Sequence, residues 1–159
     1  MITDDDLRHL RRCVELATEA LEAGDEPFGS VLVAGDGTVL AEDRNRVNTR
    51  NDETEHPEFS LARWATRLTR AERSACTVYT SGEHCPMCSA AHGWAGLGRI
   101  VYASSAQQLT GWLRELGVAP GPVQALPIGD LVPGISVDGP APGLAEDVKA
   151  LHVRLHRPG

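Results

Sequence analysis

Two short segments, His56-Pro57-Glu58 and Cys85-Pro86-Met87-Cys88, constrain the fold of this chain most strongly. Each begins with a potential metal ligand followed directly by proline, a residue favoured in the first turn of a helix. Cysteines three positions apart at a helix start lie on one turn, and the positive end of the helix dipole favours their thiolate forms. A fold that brings the two helix starts together therefore places one imidazole and two thiolates around a single metal ion.

This ligand set is typical of zinc. Zinc binds thiolate and imidazole tetrahedrally, and three protein ligands leave the fourth position for water, whereas structural sites are usually closed by four ligands. Bound zinc lowers the pKa of water from 15.7 to about 7. We therefore expect His56, Cys85 and Cys88 to hold one zinc ion, with Glu58 exchanging protons as a general acid and base. A C-x-x-C pair alone would equally suit a redox pair or part of a structural zinc site.

The spacing of apolar residues predicts an α/β fold in which helices cover a partly parallel sheet, because helices connect the later strands. Thr3 and Asp6 form a candidate capping box for the first helix, and Gly98 is the predicted end of the third. Residues 43–56 are polar and read as an ordered loop. We predict helices over residues 7–24, 57–72, 86–97, 106–116 and 144–155, and strands over residues 30–34, 39–41, 76–80 and 99–103.

The C-terminal third has a different character. Residues 117–143 contain six glycines and six prolines, which predicts an irregular segment lying on a surface. A chain of 159 residues has the size of one ordinary domain. We therefore expect a single domain over residues 1–159, with a core over about 1–103 and a segment over 104–159 that selects the substrate and contributes to oligomer contacts.

Charge and apolar content exclude several classes of partner. The formal net charge of −7 argues against a nucleic acid polymer, which is bound through clustered positive charge. No apolar run is long enough to span a bilayer, so we expect no membrane association. Residues 1–6 carry aspartates where a secretory signal carries basic residues, which predicts a cytoplasmic protein whose cysteines are thiols. Cys13 and Cys76 are expected in the core.

The pair H-x-E and P-C-x-x-C is the signature of zinc-dependent base deaminases. The sequence resembles the cytidine deaminase superfamily, and within it the branch of guanine deaminases and tRNA adenosine deaminases. Residues 27–31, 51–58 and 79–88 carry the resemblance, which covers roughly the first hundred residues. It implies a three-layer α-β-α sandwich with a five-stranded mixed sheet, one zinc ion per chain and, in most members, a dimer; we expect a homodimer.

The resemblance also implies contacts to a base. Asn45 corresponds to an asparagine that hydrogen-bonds the base, and Phe28 and Trp94 occupy positions that line or neighbour the pocket in guanine deaminases. His92 lies four residues after Cys88 on the same helix face, so it is a further candidate. Pro57 and Glu83 complete the predicted substrate-binding set.

Three departures from the family pattern bear on the substrate. Pro57 has no backbone N–H, which in the family commonly donates to a ring carbonyl; an unpaired buried acceptor costs on the order of 1–3 kcal/mol, which disfavours cytosine. His84 stands where the family most often has proline. The C-terminal third shows no match to the acidic residues that complete the guanine deaminase pocket.

Together these features predict hydrolytic deamination of a small molecule, a free amino-substituted heterocyclic base that resembles guanine, cytosine or an s-triazine, with release of ammonia. The alternatives are a nucleoside or nucleotide deaminase, a tRNA adenosine deaminase, and a protein whose zinc is purely structural.

Overall fold

A computed structural model of the protein describes residues 1–157 and 159. Its centre is a five-stranded mixed sheet in the order β2-β1-β3-β4-β5. The first pairings, β1 with β2 and β1 with β3, are antiparallel, whereas β3 with β4 and β4 with β5 are parallel. This confirms the predicted α/β class and mixed sheet. The strands are β1 (Gly29–Val33), β2 (Val39–Arg44), β3 (Thr77–Gly82), β4 (Ile100–Ser104) and β5 (Val137–Asp138).

Helices cover both faces of the sheet. One apolar core lies between the sheet and α1, α6 and α8, and a second lies between the sheet and α3, α5 and α7. Among the described residues, none of the helices has both the length and the apolar character needed to cross a membrane. The helices are α1 (Asp4–Glu22), α2 (Val47–Arg50), α3 (Pro57–Trp64), α4 (Arg70–Ala75), α5 (Pro86–Ala95), α6 (Ala106–Glu115), α7 (Ile128–Leu131) and α8 (Leu144–His156).

The predicted capping box forms and starts the first helix at Asp4, three residues before the predicted start at residue 7. The Thr3 hydroxyl accepts a hydrogen bond from the backbone N–H of Asp6, and the Asp6 carboxylate accepts one from the backbone N–H of Thr3. Leu10 and Cys13 lie on the buried side of α1, in the first core. Cys76 is buried in the second core, so both of these thiols are core residues as expected.

The prediction of one helix over 57–72 is wrong. Helix α3 ends at Trp64, a 3₁₀ turn follows over Ala65–Arg67, and a new helix begins after Thr69. The Thr69 hydroxyl and the Glu72 carboxylate cap that helix reciprocally, which fixes a second helix start inside the apolar pattern.

The predicted end of the third helix is also shifted. Helix α5 ends at Ala95, and Gly96 follows with a left-handed φ of 71° that favours glycine. Gly98 has another role: a Cβ there would lie 2.4 Å from the carbonyl oxygen of Ser74 and 2.6 Å from that of Cys76. Glycine is therefore needed at this position for close packing.

The segment over 117–143 is irregular for most of its length, as predicted, but it contains α7 and β5. The two residues of β5 pair with β4 at the edge of the sheet and supply its fifth strand.

A charged cluster joins α1 to the last strands. Arg99 donates to the carboxylate of Asp6 at 2.8 and 2.9 Å and to that of Asp138 at 2.9 and 2.8 Å. The Tyr79 hydroxyl also donates to Asp6, at 2.7 Å. Burial alone would raise the pKa of Asp6, but the hydrogen bonds from Arg99, Thr3 and Tyr79 and the charge of Arg99 lower it well below its ordinary value.

Candidate metal centre and active site

Three predicted ligands lie together at the starts of α3 and α5. The Nδ1 atom of His56 is 3.5 Å from Sγ of Cys85 and 3.6 Å from Sγ of Cys88. A tetrahedral zinc ion at its usual bond lengths separates nitrogen and sulfur ligands by about 3.5 Å, so the spacing fits zinc. Within the part of the chain that the structure describes, this is the one group of three or more such side chains placed to hold a metal ion.

The local sequence produces this convergence. His56 and Cys85 each have extended backbone and occupy the position before a helix, and Pro57 and Pro86 open the helices that follow. Both helices pack side by side on one face of the sheet, in the second core. Cys88 lies one turn into α5, which directs its thiol to the same point as that of Cys85.

The ligands influence one another electrostatically. A hydrogen bond from Cys88 and, after it, the hydrogen bond and charge of His56 lower the pKa of Cys85. The hydrogen bond to Cys85 and the negative charge of Glu58 raise the pKa of His56. Cys85 is therefore held toward its thiolate form, which is the form that binds zinc.

Glu58 lies beside this group, in the first turn of α3 and only 6% exposed. Its Oε1 atom accepts hydrogen bonds from Ser30 Oγ at 3.2 Å and Thr80 Oγ1 at 2.9 Å. Its Oε2 atom lies 3.7 Å from Sγ of Cys88. Burial raises the pKa of Glu58 above its ordinary value. One carboxylate oxygen is thus fixed to the sheet while the other faces the predicted metal ligands.

Sequence reasoning missed Ser30 and Thr80. A signal was present at Ser30, the one hydroxyl residue in a short strand that otherwise contains Gly, Val and Leu, but β3 also carries Thr77 and Ser81, so its sequence does not single out Thr80. Hydroxyl groups at fully buried strand positions need partners, and here the partner is Glu58.

A cavity of about 670 Å³ opens beside two of the predicted metal ligands, His56 and Cys85. His56, Glu58 and Cys85 lie on its wall, and much of the remaining wall comes from α6 and residues 117–126. Both α6 and residues 117–126 belong to the segment over 104–159 that we predict to select the substrate. The apolar side chains on the wall include Phe28, Leu109, Leu113, Val118, Val123 and Leu126.

Of the predicted substrate contacts, Phe28 and Glu83 line this cavity, together with the predicted catalytic residue Glu58. The Phe28 ring packs edge-on against the ring of His152 from α8, with centroids 5.2 Å apart. Burial raises the pKa of Glu83, and interactions with the Tyr102 hydroxyl and with the backbone N–H groups of Ala106 and Ile128 oppose that shift.

The other predicted contacts are not among the described residues that line the cavity. Asn45 is buried, and its side chain accepts from the backbone N–H of Val47 at 3.0 Å and donates to Glu26 at 3.5 Å. Pro57 is buried at the start of α3. Trp94 is 84% exposed, on the outer face of α5.

His92 lies behind His84, which itself lines the cavity. The two rings pack edge-on with centroids 5.4 Å apart, and the Nε2 atom of His92 lies 2.7 Å from the carbonyl oxygen of Gly98. Burial lowers the pKa of both histidines, which favours their neutral forms. Both ring nitrogens of His84 are buried, and among residues 1–157 and 159 they have no hydrogen-bond partner.

Positive charge is scarce near the cavity. Among the described residues, Arg114 on the last turn of α6 is the one arginine or lysine on the wall. The arginines of the loop before the metal motif are paired with carboxylates instead: Arg44 with Asp25, Arg46 with Asp43, and Arg50 with Glu55.

Comparison with known proteins identifies relatives of this site. A family model described as the cytidine and deoxycytidylate deaminase zinc-binding region matches residues 3–104. A probable cytosine deaminase of Schizosaccharomyces pombe is 33% identical over 119 residues, which cover 75% of this chain and 72% of that protein. Guanine deaminase of Bacillus subtilis is 43% identical over 97 residues, 60% of this chain and 62% of that protein, so the match spans less than two thirds of its length. Proteins named tRNA-specific adenosine deaminase also match.

Among solved structures, the guanine deaminase from Nitrosomonas europaea superimposes with a TM-score of 0.72, covering 98% of this chain and 86% of that one. The two sequences are 20% identical, so this similarity concerns the fold alone.

Proposed function

This chain belongs to the cytidine and deoxycytidylate deaminase zinc-binding family and is an enzyme that hydrolyses C–N bonds, and from that premise we propose that it deaminates a free amino-substituted heterocyclic base. The base would resemble guanine, cytosine or an s-triazine, and ammonia would be released.

One observation carries the proposal: the Oε2 atom of Glu58 lies 3.7 Å from Sγ of Cys88, at the inner wall of the cavity. His56, Cys85 and Cys88 would hold zinc, since their ligand atoms lie within 4.8 Å of one another. When bound, zinc supplies Lewis acidity that makes water nucleophilic at neutral pH.

Glu58 would carry the protons of the reaction. Hydrolysis joins the oxygen of water to the amino-bearing carbon and breaks the bond from that carbon to nitrogen. Glu58 takes one proton from the water and passes it to the ring nitrogen, then takes the second and passes it to the leaving amino group, which departs as ammonia. A buried carboxyl group whose pKa is raised by desolvation suits this double role.

The cavity wall supports a small uncharged substrate. It is largely apolar, and Glu58 and Glu83 are the carboxylates among the described residues that line it. A planar ring with amino and N–H groups can pack against such walls and direct its few polar atoms to these side chains.

An RNA substrate is supported less well. Neutralising a phosphate backbone requires clustered lysine and arginine side chains. This chain carries a net charge of −7, and Arg44, Arg46 and Arg50 are each paired with a carboxylate.

A nucleoside is the second candidate, and the volume of the cavity favours it. A free base occupies on the order of 150 Å³ at the packing density of protein interiors, well below the 670 Å³ of the cavity. A sugar could therefore enter together with its base.

The experiment is an ammonia-release screen with zinc-loaded protein. It covers guanine, cytosine, isocytosine, adenine, amino-s-triazines, the matching nucleosides and an anticodon stem-loop RNA. We expect a free base to give the highest kcat/KM, and Glu58→Gln to abolish turnover while retaining about one zinc per chain. Turnover by Glu58→Gln contradicts the assignment, and higher kcat/KM for nucleosides or for the RNA selects the corresponding alternative.

A further inference from the structure

Two buried hydroxyl groups of the central sheet meet the carboxylate of Glu58. Ser30 on β1 and Thr80 on β3 stand directly opposite each other in the antiparallel pairing, and both are 0% exposed. Their oxygens are 2.9 Å apart, and both lie within hydrogen-bond distance of the same atom, Oε1 of Glu58. The hydroxyls therefore form a compact triangle with one carboxylate oxygen.

The Thr80 hydroxyl lies at the centre of this arrangement. Its oxygen is 2.9 Å from Ser30 Oγ, 2.9 Å from Glu58 Oε1 and 2.8 Å from the carbonyl oxygen of Gly82. A hydroxyl group donates one hydrogen bond and can accept others, so Thr80 can accept from Ser30 while it donates to Glu58 or to Gly82. The position of the Thr80 oxygen is therefore fixed by groups on three sides.

This arrangement determines where the second oxygen points. The side chain of Glu58 rotates about several bonds, and the hydroxyls of Ser30 and Thr80 are the described groups that bond its Oε1. With Oε1 fixed against the sheet, Oε2 is directed at the metal ligands, 3.7 Å from Cys88. A carboxylate that moves protons between water and substrate needs this fixed geometry.

The two strands do not need hydroxyls for packing. The nearest residues on the same face of the sheet, Leu32 on β1 and Val78 on β3, are apolar and contribute to the second core. Valine is well suited to such a buried strand position. A buried hydroxyl must find a partner, so its presence requires a reason other than filling space.

We infer that Ser30 and Thr80 are positioning residues that hold Glu58 for proton transfer. This inference rests on the proposed deamination and extends the site from the metal ligands to the sheet beneath them. Neither residue touches the substrate; both act through Glu58.

The test compares variants on the base that the wild type deaminates fastest. Thr80→Val removes a hydroxyl at nearly constant shape, Ser30→Ala removes the other, and Thr80→Ser restores a hydroxyl at position 80. The matched control is Ser104→Ala, since Ser104 is a buried hydroxyl on β4 that donates to the carbonyl oxygen of Ser81 at 2.8 Å and does not contact Glu58.

We expect Thr80→Val to lower kcat about 10- to 100-fold, the usual effect of removing a group that orients an active-site residue. KM and the zinc content should stay near those of the wild type, because neither substrate nor metal ligands are touched. Thr80→Ser should recover most of the lost kcat, and Ser104→Ala should keep wild-type kcat.

Wild-type kcat in both Thr80→Val and Ser30→Ala overturns the inference while leaving the proposed function intact. A similar loss in Ser104→Ala, or a rise in KM at constant kcat, also overturns it. If Thr80→Val fails to fold, Ser30→Ala together with Thr80→Ser decides by the same criteria. Absence of ammonia from every base with the zinc-loaded wild type overturns the proposed function, and the positioning role falls with it.

Discussion

The Nδ1 atom of His56 lies 3.6 Å from Sγ of Cys88, although 32 residues separate them in the chain. Both side chains stand at or within the first turn of helices that begin with proline and pack on the same sheet face. The packing of α3 against α5 therefore sets the distance between the two side chains.

Removing one of these ligands should abolish metal binding. We expect Cys88→Ala to reduce zinc from about one ion per chain to near zero and to eliminate turnover, because two remaining ligands cannot complete a stable tetrahedral site. Elemental analysis after gel filtration measures this. Cys76→Ala is the control, since Cys76 is a buried thiol outside the metal group. Full zinc content in Cys88→Ala would show that the metal group is not the binding site.

Pro57 should limit the use of cytosine. Pro57→Ala restores a backbone N–H at the position where relatives of this chain are expected to bond a ring carbonyl. Satisfying that acceptor is worth on the order of 1–3 kcal/mol, so KM for cytosine should fall about 5- to 150-fold. The measurement is steady-state kinetics on cytosine, with zinc content as a check on the neighbouring His56. Equal affinity in the two proteins would contradict the role of Pro57.

Phe28 and Trp94 should differ in their effect on the substrate. Phe28 lies on the cavity wall, so Phe28→Ala should raise KM about tenfold through lost apolar contact, with zinc content unchanged. Trp94 is 84% exposed, so Trp94→Ala should leave KM within about twofold of the wild-type value. The reverse result would place the substrate on the outer face of α5 and not in the cavity.

The metal group and Glu58 could be predicted because chemistry fixes their spacing. Zinc prefers thiolate and imidazole ligands, and the prolines after His56 and Cys85 predict that both residues precede a helix. Trp94 shows the limit of a sequence match. Trp94 follows Cys88 by six residues on α5. At 3.6 residues per turn, this spacing places the two side chains about 120° apart around the helix axis, so Trp94 does not share the face of Cys88. The side chain of Asn45 accepts from the backbone N–H of Val47 and donates to Glu26, which precedes β1.

The fold was predictable where local signals and apolar periodicity support the same element, as in α1, which has both a capping box at Thr3 and a buried stripe through Ala20. The break between α3 and α4 was not, because apolar spacing continues through Leu68 and the capping of Thr69 by Glu72 overrides it. Nor could a two-residue strand such as β5 be read, since only its pairing with β4 defines it. Such short strands are defined by contacts between residues far apart in the chain, and these contacts cannot be identified from a single sequence.

The stability of the fold should depend on pH through Asp6. Its folded-state pKa lies below the ordinary value of 3.8, so its contribution is fully present above about pH 4 and is lost as the pH falls toward the folded-state pKa. Asp6→Asn should therefore lower the free energy of unfolding at pH 7 by roughly 1–3 kcal/mol, because Asp6 is 2% exposed and accepts from Arg99 and Tyr79. Asp5→Asn, in an exposed pair with Arg8, should cost less than about 0.5 kcal/mol. Urea unfolding at pH 7 and pH 3 measures the free energy of unfolding of the wild type and of both variants. If the difference between the wild type and Asp6→Asn is as large at pH 3 as at pH 7, the charge of Asp6 is not what stabilises the fold.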